Sequence, residues 1–244
     1  MNGKHNRLKA DLHLHTCEGF KEPFINHSAL ELIDAAMEAG YEVLSITNHD
    51  TVTYNNYLKD YALERGILLI PGIELTLKRK HVLIYNVKET LLNFINDLDD
   101  IKETRDRNNL VIAPHPFFPA GCALGQQFVK KHSLFDAVEL SHYYTSYINF
   151  NRKAVDMAEK FNLPMLGTSD CHALCQLNTT YSYIYAEKDT EAVFNAIKKG
   201  DVNIVTTPLS VLEAGMIFQE VFLRGSVNKI RTAGLYLLSF LGQG

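Results

Sequence analysis

The chain has 244 residues, 46% hydrophobic and 21% charged, enough to bury one large core and to read as a single barrel-sized domain. A net charge of -4 and a pI near 6.2 exclude a bulk electrostatic pull toward nucleic acid or anionic membrane. The four cysteines follow no secreted disulfide framework, no signal-peptide core opens the chain, and no run reaches the roughly 20 apolar residues of a membrane span, so a cytoplasmic protein is expected.

The first run, LKADLHLH, reads as a strand, and the following HTCEGFKEP contains a single glycine, which argues against a nucleotide-binding loop there. From His27 to Tyr41 the apolar residues Leu30, Ile33, Ala36 and Met37 recur at helical spacing, and Gly40 supplies the stop. VLSIT is the next strand, NNYLKDYALERG a polar helix, and ILLIPGIEL a strand joined through Lys78, Arg79 and Lys80 to a hairpin partner, HVLIYNV. Lys88 to Asn108 reads as a long helix, LVIAP as a strand, Gln126 to His132 as a short helix and DAVELS as a strand. NFNRKAVDMAEKFN and MLGTSD make the next helix and strand, then SYIYAE, a helix from Glu191 to Lys199, VNIVT, and an amphipathic helix from about Ser210.

Strands apolar on both faces alternating with helices imply a parallel α/β sheet, and this number of units favours a closed or nearly closed β/α barrel over an open doubly wound sheet. Residues 1–208 would form the barrel, and 209–244 a C-terminal helical extension packed on it.

The chemistry gathers where these strands stop. Alternation in a strand puts His13 and His15 on one face roughly 7 Å apart, within reach of one ion. His49 and Asp50 close the second strand, Glu74 the third, His81 opens its partner, His115 follows LVIAP, and Asp170 and His172 follow MLGTS. Singly, each has a structural explanation: a cap, a buried histidine, an exposed hairpin. Together, imidazoles and carboxylates at successive strand ends suit two or three divalent ions, Mn, Zn or Fe, with a carboxylate such as Glu74 able to bridge a pair.

These motifs resemble the polymerase and histidinol phosphatase (PHP) superfamily of metal-dependent phosphoesterases, over about Leu8 to Val205. DLHLHT is similar to its first motif, ITNHDTV to its second, PGIEL with HVLIYNV to its third, and APHP with GTSDCH to its last. The resemblance implies a distorted seven-stranded, TIM-like β/α barrel with metals at the C-terminal rim of its strands. It implies a first metal held by His13, His15, Glu74 and Asp170, a second by Glu74, His81 and His115, and a third by His49 and His172. The third needs another ligand, which family members place after the HxH pair, commonly in Ser-Asp-Gly. Here the segment is Cys17-Glu18-Gly19-Phe20-Lys21-Glu22, which makes Glu22 the candidate and Glu18 the runner-up. Asn48 stands where the family usually has Asp.

The implied reaction is phosphate-ester hydrolysis by metal-bound hydroxide, with Asp170 or His172 relaying the proton and a small phosphorylated metabolite or nucleotide as substrate. His142 is a candidate substrate contact or, failing that, a ligand. Lys78, Arg79 and Arg152 are candidates to grip phosphate, while His5, His27, His132 and the cysteines have no assigned role. Two other classes fit less well: a metal-dependent amidohydrolase, which adds a carboxylated Lys or paired His on middle strands, and a non-catalytic domain stabilised by its metals. No stable nucleic-acid partner is expected, and oligomeric state is open.

Overall fold

The computed structural model describes residues 6–219 apart from Pro23 and Arg107. In chain order the elements are β1 (Arg7–Leu14), α1 (Ala29–Glu38), β2 (Val43–Ile46), α2 (Asn56–Glu64), β3 (Leu68–Leu69), β4 (Gly72–Leu77), β5 (Lys80–Tyr85) and α3 (Glu89–Leu92). They continue with β6 (Leu110–Ala113), α4 (Gln126–Lys131), β7 (Ala137–Ser141), α5 (Asn151–Phe161), β8 (Met165–Thr168), β9 (Thr180–Tyr185), α6 (Thr190–Lys199), β10 (Val202–Thr206) and α7 (Val211–Phe218).

The fold is mixed α/β. Among the described residues the strands form two five-stranded sheets, β10-β9-β1-β2-β3 and β4-β5-β6-β7-β8, rather than one closed parallel sheet. Pairing is parallel for β1 with β2, β2 with β3, β6 with β7 and β7 with β8, and antiparallel for β1 with β9, β9 with β10, β4 with β5 and β5 with β6. The run ILLIPGIEL, expected as one strand, divides at Pro71 into β3 and β4, which belong to different sheets. Proline offers no N–H to a ladder, so the chain changes sheets there.

Leu8, Leu12, Leu83, Tyr85, Leu110, Ile112, Leu166 and Ile184 from both sheets fill one inner core, with Phe194 and Ile197 of α6 packed into it. The Tyr85 hydroxyl donates to the Leu12 carbonyl across the two sheets, at 2.9 Å. A second cluster lies under α4 and α5 around Phe128, and a third under α1 and α2 around Leu32, Ile33 and Leu58.

Helix α1 begins with a Ser28 and Glu31 capping box, and Gly40 at φ 76° follows its end. Its buried face is Ala29, Leu32, Ile33 and Ala36, so the stripe lies beside the expected one and Met37 is exposed. The long helix expected from Lys88 to Asn108 reduces to α3 and a 3₁₀ turn at Asp100–Thr104. Side chains explain the break: an Asp100 carboxylate oxygen accepts the N–H groups of Asn96 and Asp97, and Asp97 accepts that of Asp99, in place of the helical ladder.

Three features place the chemistry. The β1–β2 register shifts between Asp11 and Leu14, so Leu8, Ala10 and Leu12 face the inner core whereas Leu14 packs outside with α1. The phase of the strand thus flips, turning His13 and His15 inward. The sheets also meet through bridges Leu14 to Cys171 and His49 to Glu74, both formed just where β1, β2 and β8 end. Finally, α7 is anchored by the Tyr143 hydroxyl on the Ala214 carbonyl at 3.0 Å. Of the proposed extension, residues 220–244 lie outside the described residues.

Candidate metal centre

His13 and His15, at the flipped end of β1, point their Nε2 atoms at the same two oxygens. His13 Nε2 lies 3.2 Å from Glu74 Oε2 and 3.3 Å from Asp170 Oδ1, and His15 Nε2 lies 3.3 Å from each. Four of the six separations among these atoms are thus 3.2–3.3 Å, and all lie within 4.8 Å; a regular tetrahedron with edges near 3.3 Å has its centre roughly 2.0 Å from each vertex, the bond length of Zn to nitrogen or carboxylate oxygen. All four atoms are buried without a hydrogen-bond partner, which natural interiors rarely tolerate unless an ion or ligand completes them.

Glu74 divides its carboxylate. Oε2 faces His13, His15 and, at 3.0 Å, His49 Nδ1; Oε1 lies 2.7 Å from His81 Nδ1 and 3.3 Å from His115 Nε2. Two oxygens serving two sets of imidazoles is the arrangement of a bridging carboxylate. A third set joins His15, Glu22, His49 and His172, whose donor atoms lie within 4.8 Å of one another. Glu22 is buried there, while Glu18 caps α1 by accepting the Ala29 N–H at 2.9 Å. Of the two acidic candidates, only Glu22 reaches the cluster.

Second partners fix the ring orientations. His13 Nδ1 donates to Glu139 Oε1 at 2.7 Å, His15 Nδ1 to Glu22 Oε1 at 2.9 Å, and His172 Nδ1 to the Asp170 carbonyl at 2.9 Å, which makes Nε2 the atom each neutral ring would offer an ion. His27, left without a role on sequence grounds, is buried and donates to the His15 carbonyl at 2.8 Å. Glu139 is a residue sequence reasoning missed. Fully buried on β7, it also accepts from the His115 backbone N–H and the Thr168 hydroxyl. The available signal was a glutamate inside the apolar strand AVELS, since a carboxylate at such a position must be partnered. Asn48 accepts the Thr16 N–H at 2.7 Å and donates to the Thr16 and Thr53 hydroxyls at 2.9 and 2.7 Å, so its amide is fully engaged with neighbouring side chains and backbone.

His115 at φ 27° and Asp170 at φ 47° sit in the left-handed region, a strain of roughly 1–3 kcal/mol each that the surrounding hydrogen bonds must hold. The charges are mutually dependent. Burial would raise the pKa of Glu74, but His49, His81 and His13 hold it well below the usual carboxylate range. Asp170 is held down likewise against burial by His13 and His172. Burial would lower His81, yet Glu74 lifts it to about 10, whereas burial prevails at His49 and lowers it to about 4. Glu22, opposed by burial, falls to about 2 beside His15.

The remaining candidates separate. His142 is buried at the end of β7, hydrogen-bonded to Gln176 at 2.9 Å. Arg79 is exposed in the β4–β5 turn beside Gly121. Arg152 lines a groove of about 390 Å³ with Tyr144, Asn149, Asp156 and Thr206, to which no cluster residue contributes. Lys78 is taken up by Asp97 at 3.0 Å, His132 stacks on Phe161, and His5 lies outside the described residues. None of the four cysteines forms a disulfide.

A family model described as PHP-associated matches residues 149–202. The chain is 27% identical over 127 residues to the uncharacterized protein MJ1587 of Methanocaldococcus jannaschii, covering 49% of this chain and 74% of that protein. It superimposes with a TM-score of 0.62 and 19% identity on a two-domain protein from Bacteroides vulgatus described as containing a predicted PHP-like metal-dependent phosphoesterase, covering 84% of this chain and 66% of that one. PsfC from Pseudomonas syringae PB-5123 gives a TM-score of 0.61 at 16% identity, over 91% of this chain and 99% of that one. At these identities the structural likeness is one of fold. The chain thus matches a PHP-associated model over residues 149–202 and shares its fold with these two proteins.

Proposed function

We propose that this protein is a metal-dependent phosphoesterase that hydrolyses a small phosphorylated metabolite or nucleotide. The observation that carries the reading is the convergence of four buried, unpartnered donor atoms from His13, His15, Glu74 and Asp170, each imidazole nitrogen 3.2–3.3 Å from both carboxylate oxygens. In this reading they hold one ion; Glu74, His81 and His115 hold a second; and Glu22, His49 and His172 hold a third. Mn, Zn and Fe all suit such a mixed nitrogen and oxygen donor set. Divalent ions bound there would polarise the phosphoryl oxygens and supply a water acidic enough to attack phosphorus near neutral pH.

The chain's own residues do the rest. In this reading Asp170 takes the proton released by the attacking water on its second carboxylate oxygen and returns it to the leaving oxygen; His172, with its Nδ1–H on the Asp170 carbonyl and its Nε2 turned to an ion, has no lone pair left for that proton. Phe24 stacks on His172 at 5.8 Å and limits its rotation. Arg79 at the hairpin rim is the candidate to meet a substrate anion, and the position of Arg152 in a separate groove gives no support to the same role there.

The two sheets are read as parts of one distorted, TIM-like barrel, with residues 1–208 the catalytic domain and 209–244 an extension packed on it. Four cysteines outside any disulfide suit a reducing cytoplasm. Among the described residues no helix is long and apolar enough to cross a membrane.

The test is elemental analysis of purified protein combined with phosphate release from nucleotides, nucleotide bisphosphates, histidinol phosphate and sugar phosphates. Two or three ions per chain with release from one class is expected, and His13→Ala or Asp170→Ala should lose both while remaining folded. Metal without phosphate release would favour the amidohydrolase or non-catalytic alternative, and full activity in metal-free protein would overturn the reading.

A further inference from the structure

Gln176 is almost wholly buried in the loop after β8, and its orientation is determined. Its Oε1 accepts the N–H groups of His172 at 2.9 Å and Ala173 at 2.8 Å, so the other end of the amide must be the NH₂. That NH₂ reaches His142 Nε2 at 2.9 Å and the Asp170 carbonyl at 3.2 Å. A donor facing His142 Nε2 requires that nitrogen to be the bare acceptor. The ring is neutral at pH 7, because burial lowers its pKa to about 4, and its one proton therefore resides on Nδ1.

This Nδ1–H is buried and has no partner. It shares that property with the donor atoms of the cluster, yet His142 belongs to none of the candidate metal sets. Carrying a proton, Nδ1 has no lone pair for an ion; what it lacks is an acceptor. The ring lies close enough to Asp170, Glu139, His172 and His13 to feel their charges, and one amide separates it from the Asp170 carbonyl.

We propose that His142 is the fixed hydrogen-bond donor to a phosphoryl oxygen of the substrate, and that Gln176 is the positioning residue that locks its Nδ1–H tautomer. This rests on the phosphoesterase reading and adds to it a protein group that binds the anion beside the ions. It also chooses between the two roles open to His142, substrate contact and ligand. Gln176 joins the parts, because the same amide orients the backbone of His172 and the ring of His142.

The test uses the full-length, metal-loaded protein. Nitrogen-15 NMR of its histidines should show His142 protonated at Nδ1 and bare at Nε2, and Gln176→Glu, which offers Nε2 an acceptor, should move the proton to Nε2. Titration with inorganic phosphate should show about 10- to 100-fold weaker binding in His142→Leu, the loss expected for a hydrogen bond to a charged group, with metal content unchanged. His142→Asn, whose amide N–H falls near the Nδ1 position, should restore part of it. An Nε2–H tautomer in the wild type, or phosphate binding unchanged in His142→Leu, overturns the proposal alone. A wild type that takes up metal but binds no phosphate overturns the phosphoesterase reading and the proposal with it.

Discussion

Glu139→Gln tests how the metal centre is supported. Three donors converge on this buried carboxylate: His13 Nδ1–H, the His115 backbone N–H and the Thr168 hydroxyl. Glutamine keeps the shape but offers one acceptor oxygen, and its NH₂ must then face at least one of those donors. The loss of one hydrogen bond to a charged group costs about 1.5–3 kcal/mol. Part of that loss falls on His13, which becomes free to rotate or to change tautomer. Removal of such a partner typically lowers metal affinity about 10- to 100-fold, or ~1.4–2.8 kcal/mol. The assay is chelator competition on protein stripped of metal and reloaded with Zn or Mn, with circular dichroism to verify the fold. Because Glu139 contacts both His13 and the backbone of His115, affinity should fall for more than one ion. An unchanged dissociation constant in a folded variant would refute the reasoning.

Three further outcomes follow from the same geometry. His81 is lifted to about 10 in the metal-free site, so its ring is protonated at pH 7 and must lose that proton to bind an ion; calorimetry in buffers of different ionisation enthalpy should show proton release that is smaller in His81→Ala, the remainder coming from His13 and His15, which neighbouring carboxylates also hold well above the ordinary histidine value. A Cβ on Gly19 would lie 2.5 Å from Glu22 Cγ and 3.0 Å from Asn48, so Gly19→Ala should displace Glu22 and reduce bound metal by one ion on elemental analysis, leaving the other ions in place. His142, lowered to about 4 by burial, binds its proton first in the unfolded chain. Its contribution to stability is therefore complete above pH 6.5 and lost as pH falls toward 4, at up to ~1.4 kcal/mol per pH unit; urea midpoints of metal-free wild type compared with His142→Gln should diverge over that window, and a constant difference would contradict it.

Much of the site was legible because its residues end recognisable runs. His13, His15, Glu74, Asp170 and His172 follow strand patterns whose ends are set by local hydrophobicity; the structure brings donor atoms of the first four within 4.8 Å of one another and sets His172 with His15, Glu22 and His49. The helix at His27 to Tyr41 was equally readable, since its capping box and terminal glycine are local signals. The long helix after Lys88 was not, because aspartate and asparagine side chains compete for backbone N–H groups in a way that an apolar count overlooks.

By itself, the sequence determined which residue types suited to ions stand at the ends of apolar runs and where most strands lie, both being consequences of residue type and short-range periodicity. Only the tertiary structure decided the rest. The register shift in β1 turned His13 and His15 inward, Pro71 sent one apolar run into two sheets, and Glu22 rather than Glu18 reached the cluster. Glu139 and Gln176 acquired their places from hydrogen-bond partners 24 to 126 and 3 to 34 positions away. Hydrogen-bond partners so far apart in the chain leave no local pattern, because the burial that makes each of them obligatory exists only once the two sheets have packed.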